Sequence, residues 1–184
     1  MSDPGPGLDP GRNHGLDRDP GRDPDRDPGP APVDPRPAGR SHIGVSCSFV
    51  CHDGEGRILL HLRGPGARDS REVWDSGAGE LGFGEDFEEC VRREVGEEFG
   101  ATALDLVQVG VANVRRTSGE LPTHWVSVQF AVLVDPREVT PSEPDRIGNL
   151  TWFGEGELPA GLHPALPGLL AHAAPHIGWS TAHV

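Results

Sequence analysis

From residue 42 onward, apolar residues either alternate with polar ones or run together in short stretches. HIGVSCSFVCHD (42–53) is β-branched and mostly apolar, DGEG turns the chain, and RILLHLR (57–63) resumes an apolar run, which predicts a hairpin. GPGARDSR reads as loop, and EVWDSG as a short extended piece closed by glycine. LDLVQVGVANVRR (104–116) and HWVSVQFAVLVD (124–135) alternate as strands do, separated by the polar turn TSGELPT, and NLTWFG (149–154) is a short strand. Between them the period changes. In EDFEECVRREVGEEF (85–99), Phe87, Val91, Val95 and Phe99 recur every four residues and form one apolar helical stripe, with Gly100 as its stop. HPALPGLLAHAAPHI (163–177) predicts a second helix, interrupted by its prolines. Strands on both sides of one strong helix, with a second helix near the end, indicate an α/β or α+β domain: a mixed sheet covered by helices.

The first 41 residues are of another kind. Asp-Pro, Gly-Arg and Pro-Gly units repeat with almost no large apolar residue, so this segment cannot offset its own ordering entropy and is expected to be a disordered tail. One folded domain is expected at 42–178, with a short C-terminal tail at 179–184. The formal net charge is −13; the first 41 residues hold 8 Asp and 6 Arg, net −2, which leaves −11 for the rest. Such a surface repels a nucleic-acid backbone and an anionic membrane. A small phosphorylated substrate remains an acceptable partner if cations bridge it, and a homodimer is left open. Neither a signal-peptide pattern nor a run of about 18 apolar residues is found, so a soluble, cytoplasmic protein is expected. Cys47, Cys51 and Cys90 are odd in number and lack a CxxC pair, which predicts buried free thiols.

Charge changes the reading of the first helix. Glu94, Glu97 and Glu98 stand at i, i+3 and i+4, so their side chains converge, and like charges at this spacing cost a few tenths of a kcal/mol each. Arg93 can pair with Glu89 or reach back to Glu85, but it flanks the cluster. A divalent cation would offset the repulsion, and oxygen-only ligands suit Mg²⁺, or Mn²⁺ in its place, better than zinc. The plain alternative is a solvated acidic face. Gly77, Gly79, Gly82 and Gly84 alter the balance, because a glycine loop feeding a helix allows close backbone approach and can aim a carbonyl such as that of Gly79 at a metal.

These residues resemble a known signature. Gly79, five residues, Glu85, seven residues, then REVGEEFGA from Arg93 to Ala101 is similar to the box of the Nudix hydrolases, with Val95 at the first bulky aliphatic position and Ala101, smaller than usual, at the second. The resemblance implies the Nudix fold, an α/β/α sandwich around a mixed β-sheet. It also implies hydrolysis of a nucleoside diphosphate linked to another moiety, by water attacking phosphorus with Mg²⁺ present. By the same resemblance Glu94, Glu97 and Glu98 are metal ligands, Glu98 or a carboxylate outside the box is the base, Gly79 offers its carbonyl, and Glu85 with Arg93 forms the ion pair that orients the helix.

Outside the box, THWVSVQFAVLVD and SEPDRIGNLTWFGEGELP are similar to nucleoside-triphosphate-cleaving members. The stretch expected for NADH cleavage is absent, as is the tyrosine of the dinucleoside-polyphosphate branch, and Pro122 lies further past the box than the proline of ADP-ribose hydrolases. The expected reaction is therefore nucleoside triphosphate pyrophosphohydrolysis, with ADP-ribose or nucleotide-sugar cleavage as the alternative and a non-catalytic nucleotide-sensing or protein-binding module as the alternative of another class. Trp125, Phe83 and Trp74 are candidates to stack a base, though each could equally be a core aromatic. Of the loop carboxylates Glu120, Glu138 and Glu143, Glu143 is favoured as a further metal ligand. His124 reads as a structural or rim histidine.

Overall fold

The computed structural model describes residues 38–67, 70–118, 121–142 and 147–180. Seven strands and two helices follow in the order β1 (Gly44–His52), β2 (Arg57–Arg63), β3 (Trp74–Asp75), β4 (Gly77–Glu80), α1 (Phe87–Phe99), β5 (Asp105–Ser118), β6 (Leu121–Leu133), β7 (Ile147–Gly154) and α2 (Leu166–Ile177). The hairpin and the strands expected from the alternation are therefore present, and the long antiparallel β5–β6 pair runs into the expected turn, to Ser118 and Leu121, while starting at Asp105 and ending at Leu133. The expected disordered tail up to residue 37, Glu120, Glu143 and residues 181–184 of the expected C-terminal tail lie outside the described residues.

The sheet runs β3-β2-β1-β6-β5, with β4 added to β1 and β7 to β2. Only the β1–β6 pairing is parallel among the strand pairs described, from Gly44 opposite Trp125 to His52 opposite Leu133. Alternation along β1 sends Cys47, Phe49 and Cys51 to one face and Val50 to the other. The first face packs on Cys90, Val91, Val95 and Phe99 of α1; the second packs on Leu166, Leu169, Leu170, Ala173, Ala174 and Ile177 of α2. Two helices on opposite faces of one mixed sheet form the α/β/α sandwich anticipated above. All three cysteines are buried free thiols, and burial raises the pKa of each.

Four local expectations are corrected. Phe87, assigned to the buried stripe, is 41% exposed, and Cys90 takes its place in the core. A helical side chain leans toward the N-terminus, so a first-turn residue covers the approach to the helix and not the sheet beneath it. Glu85 lies before the helix, not in its first turn: Asp86 is the N-cap, its N–H held by Glu89 Oε2 at 2.9 Å, while Glu85 Oε2 accepts from the Gly82 N–H at 2.9 Å. The second helix is continuous from Leu166; Pro167 sits in its first turn, where no N–H is needed, and Pro175 is on the solvent side. Trp179, assigned to a tail, is 6% exposed and donates from Nε1 to the Gly56 carbonyl at 2.8 Å, so the packed domain reaches past Gly178. Gly100 does end α1, with φ 61° and with no room for a Cβ, which would stand 2.4 Å from Thr140 Oγ1. Among the described residues, no helix is long and apolar enough to cross a membrane.

Candidate active site

β4 pairs antiparallel with β1, Gly79 opposite Cys47 and Gly77 opposite Phe49, and α1 passes over it. Gly77 and Gly79 point to the same side of the strand, about 7 Å apart. Glu94 and Glu98 point to the same side of the helix, about 6 Å apart along its axis. The two repeats match. A Cβ on Gly79 would stand 1.9 Å from the Glu94 carboxyl carbon, so Gly79 makes room for that carboxylate; one on Gly77 would stand 2.2 Å from the Phe49 ring and 2.8 Å from Glu98 Oε2, so Gly77 makes room first for Phe49 and then for Glu98. Glu98 Oε2 is inaccessible to solvent, while the Glu97 side chain is 55% exposed at the outer edge.

Arg93 binds this cluster more closely than its position in the sequence suggests. It pairs with Glu85 through Nε at 2.8 Å and Nη2 at 3.0 Å, a two-pronged geometry that fits a guanidinium to a carboxylate. Glu89 is not its partner, being committed to the helix cap. Nη1 also reaches Glu94 at 2.6 Å and Glu97 at 3.1 Å. The Arg93 hydrogen bonds, followed by that of the Gly82 N–H, hold the Glu85 carboxyl down at about 2, and the same contacts raise the Arg93 pKa.

These carboxylates form one wall of a cavity of about 390 Å³, lined there by Glu80, Glu94, Glu97, Glu98 and Gly79. The donor set is oxygen only, in keeping with Mg²⁺ or Mn²⁺, and the glycine cradle leaves space at the carboxylates. With Nη1 of Arg93 between Glu94 and Glu97, no three His, Cys, Asp or Glu side chains among the described residues are disposed as a metal-binding group. A cation here would share Glu94 and Glu97 with Arg93.

A second group of lining residues, His61, Arg63, Asp75, Arg116 and His163, completes the polar surface of the cavity. Arg63 Nη1 pairs with Asp75 Oδ2 at 3.0 Å, His163 Nδ1 faces the same oxygen at 3.7 Å, and Arg116 Nη1 lies 2.7 Å from His163 Nε2. A guanidinium only donates, so Nε2 accepts and the imidazole proton sits on Nδ1, toward Asp75. The 3.3 Å approach of the Ala165 N–H to Nδ1 is then a contact and not a hydrogen bond. Burial pushes the Asp75 carboxyl up, against the pull of His163 and Arg63. His61 is 4% exposed, and burial, aided by Arg63 and His163, lowers its pKa to about 4, so it is neutral near pH 7.

Of the candidate stacking residues, Trp125 lines the cavity, lying over Gly39 and Gly44 where a Cβ would meet the indole at 2.2 and 2.5 Å. Phe83 is 95% exposed and does not line the cavity. Trp74 stacks edge-on against Phe153 beside the α2 core and does not line the cavity either. Glu138 accepts the Thr102 N–H at 3.0 Å, away from the site. His124 bonds Asn113 at the rim of a second cavity, bordered by Arg40 and Arg115. Sequence reasoning missed the whole second group, whose members are isolated residues in four separate segments. A buried histidine inside RILLHLR was the one available signal.

The profile of the NUDIX domain matches residues 41–173. The chain belongs to the NUDIX family. Among curated NUDIX relatives, the NAD-capped RNA hydrolase NudC of Mycobacterium tuberculosis is 30% identical over 145 residues, covering 72% of this chain and 43% of that protein. The chain thus spans less than half the length of that relative. Among solved structures, a MutT NUDIX hydrolase from Burkholderia pseudomallei is 28% identical and superimposes with a TM-score of 0.63 over 71% of this chain and 98% of that one. The NUDIX domain of Shewanella oneidensis NrtR, in complex with ADP ribose, shares the fold at 15% identity, with a TM-score of 0.59 over 73% of this chain and 88% of that one.

Proposed function

We propose that this NUDIX chain is a phosphoanhydride hydrolase acting on a nucleoside diphosphate linked to another group, and that its preferred substrate is a nucleoside triphosphate, cleaved to a monophosphate and pyrophosphate. The observation that carries the reading is the row of Glu94, Glu97 and Glu98, with Glu94 seated against Gly79 and Glu98 near Gly77, lining a cavity large enough for a nucleotide. Glu94, Glu97, Glu98 and the Gly79 carbonyl would hold Mg²⁺, which supplies charge neutralisation and a more acidic water when bound. Glu98, lining the cavity, accepts the proton of the attacking water. Arg93 and Glu85 fix the helix against the glycine loop, and Trp125 offers an aromatic face to the base.

A dinucleotide with a central pyrophosphate is the second reading, favoured by the likeness to NAD-capped RNA hydrolases. The experiment is Mg²⁺-dependent release of product from a panel of nucleoside triphosphates, ADP-ribose, NADH and nucleotide sugars, beside Glu98→Gln. The expected result is turnover of a triphosphate, with kcat lower by about a hundred- to ten-thousandfold in the variant. Turnover confined to NADH or ADP-ribose would transfer the reading to the dinucleotides. Tight nucleotide binding without turnover of any compound would overturn the hydrolase and leave a sensing module.

A further inference from the structure

Among the described residues lining the cavity, Arg63, Asp75, His163 and Arg116 form a single line of contacts. Arg63 and Asp75 cancel, and His163 is neutral in the tautomer that accepts from Arg116. Arg116 therefore ends the line as a cation bonded only to an uncharged ring. Its Nε is buried and makes no hydrogen bond. A guanidinium presents its N–H groups as a rigid fork suited to two oxygens of one anion. Here Nη1 is anchored on His163, which fixes the plane of that fork where Arg116 lines the cavity.

A second observation points the same way. His61, 4% exposed, lines the same cavity with its Nδ1 buried and without a hydrogen-bond partner. Buried polar groups are almost always satisfied, and two unsatisfied ones in residues lining one cavity indicate a ligand that supplies the missing partners. The chain as a whole is strongly acidic, so a half-buried cation without a carboxylate partner, lining the same cavity as four glutamates, is a local reversal of its field.

We propose that Arg116 is a specificity-determining residue of this site: held by His163 and Asp75, its guanidinium receives a phosphate of the substrate that lies beyond the bond hydrolysed. With the reacting anhydride at the glutamate wall, that group is the terminal phosphate of a triphosphate. This rests on, and sharpens, the proposed reaction. It distinguishes triphosphates from compounds whose second half is a neutral sugar at this position. His163 is a positioning residue, acting through Arg116.

The test separates binding from turnover. Binding of inorganic triphosphate is measured by calorimetry in EDTA, on the full chain, for wild type, Arg116→Gln, Arg116→Lys, His163→Ala and Arg115→Gln, the last removing an exposed neighbouring charge as a control. Arg116→Gln is expected to weaken binding by about ten- to hundredfold, the worth of a hydrogen bond to a charged group. Arg116→Lys, which keeps the charge but loses the fork, falls between, as does His163→Ala, and Arg115→Gln stays within about twofold of wild type because exposed charges are screened. In steady-state assays Arg116→Gln raises KM for nucleoside triphosphate by a similar factor with kcat nearly unchanged, and leaves KM for ADP-ribose unaltered. Equal binding by wild type and a folded Arg116→Gln, or an equal loss in Arg115→Gln, overturns the proposal. Failure of wild type to hydrolyse triphosphates, with the calorimetric loss still present, overturns the reaction assigned above and leaves the subsite standing.

Discussion

In one group of the residues lining the cavity, four carboxylates come from β4 and a single helix; in the other, Arg63, Asp75, His163 and Arg116 come from β2, β3, the segment before α2 and β5. The first group gathers like charges. Their repulsion is relieved by one arginine, Arg93, which contacts Glu85, Glu94 and Glu97, so excess negative charge remains. The second group is a chain of contacts in which Asp75 pairs with Arg63, and it ends at Arg116, bonded to the neutral His163 ring. A site lined by two groups of opposite excess charge orients a ligand that needs cations at one end and presents an anion at the other. The difference also affects tolerance: the helix wall depends on backbone register between two adjacent elements, whereas the other depends on several long-range contacts being made together.

The largest break is expected from Gly79→Ala. Its Cβ would stand 1.9 Å from the Glu94 carboxyl carbon, so that side chain must leave its place. Misplacing one catalytic group by about 1 Å costs on the order of a hundredfold in turnover. The variant should therefore lose that much kcat while its circular-dichroism spectrum stays that of the wild type; near-normal turnover would show that the glycine cradle is not needed.

Acid titration should separate the walls. Glu85 titrates at about 2 in the fold against an ordinary value of 4.5, so its contribution is complete above pH 4.5 and is lost as pH falls toward 2. His61 is buried neutral, with a value near 4 against 6.5, so its contribution is present above pH 6.5 and is lost as pH falls to 4, by an amount on the order of 3 kcal/mol. His52, also lowered by burial, likewise loses its contribution as pH falls below 6.5. Denaturant melts across pH should show His61→Asn with a flatter slope between 6.5 and 4, and Glu85→Gln with a flatter slope between 4.5 and 2. Identical slopes in the variants and the wild type would refute both assignments.

The smallest effect is expected at Phe83, which belongs to neither wall. At 95% exposure, Phe83→Ala should change stability by no more than about 0.5 kcal/mol and leave KM within twofold. A large rise in KM would restore it as the stacking residue.

The amino-acid sequence alone determined the hairpin, the long strand pair, the two helices and the acidic wall, because each rests on local periods: two for strands, 3.6 for helices, and i, i+3, i+4 for Glu94, Glu97 and Glu98. The box, confined to Gly79 to Ala101, is legible for the same reason. Where local period met the end of an element it misled: Phe87 fits the stripe but overhangs the first turn, and Trp179 follows a helix yet folds back to Gly56. Only the tertiary structure decided that Arg93 reaches three carboxylates, that Trp125 and neither Phe83 nor Trp74 lines the cavity, and that Arg116 meets His163 across 47 positions of chain. Those contacts depend on the parallel pairing of β1 with β6 and on the placement of the segment before α2. Both are long-range choices, to which residue order contributes no period that can be read along the chain.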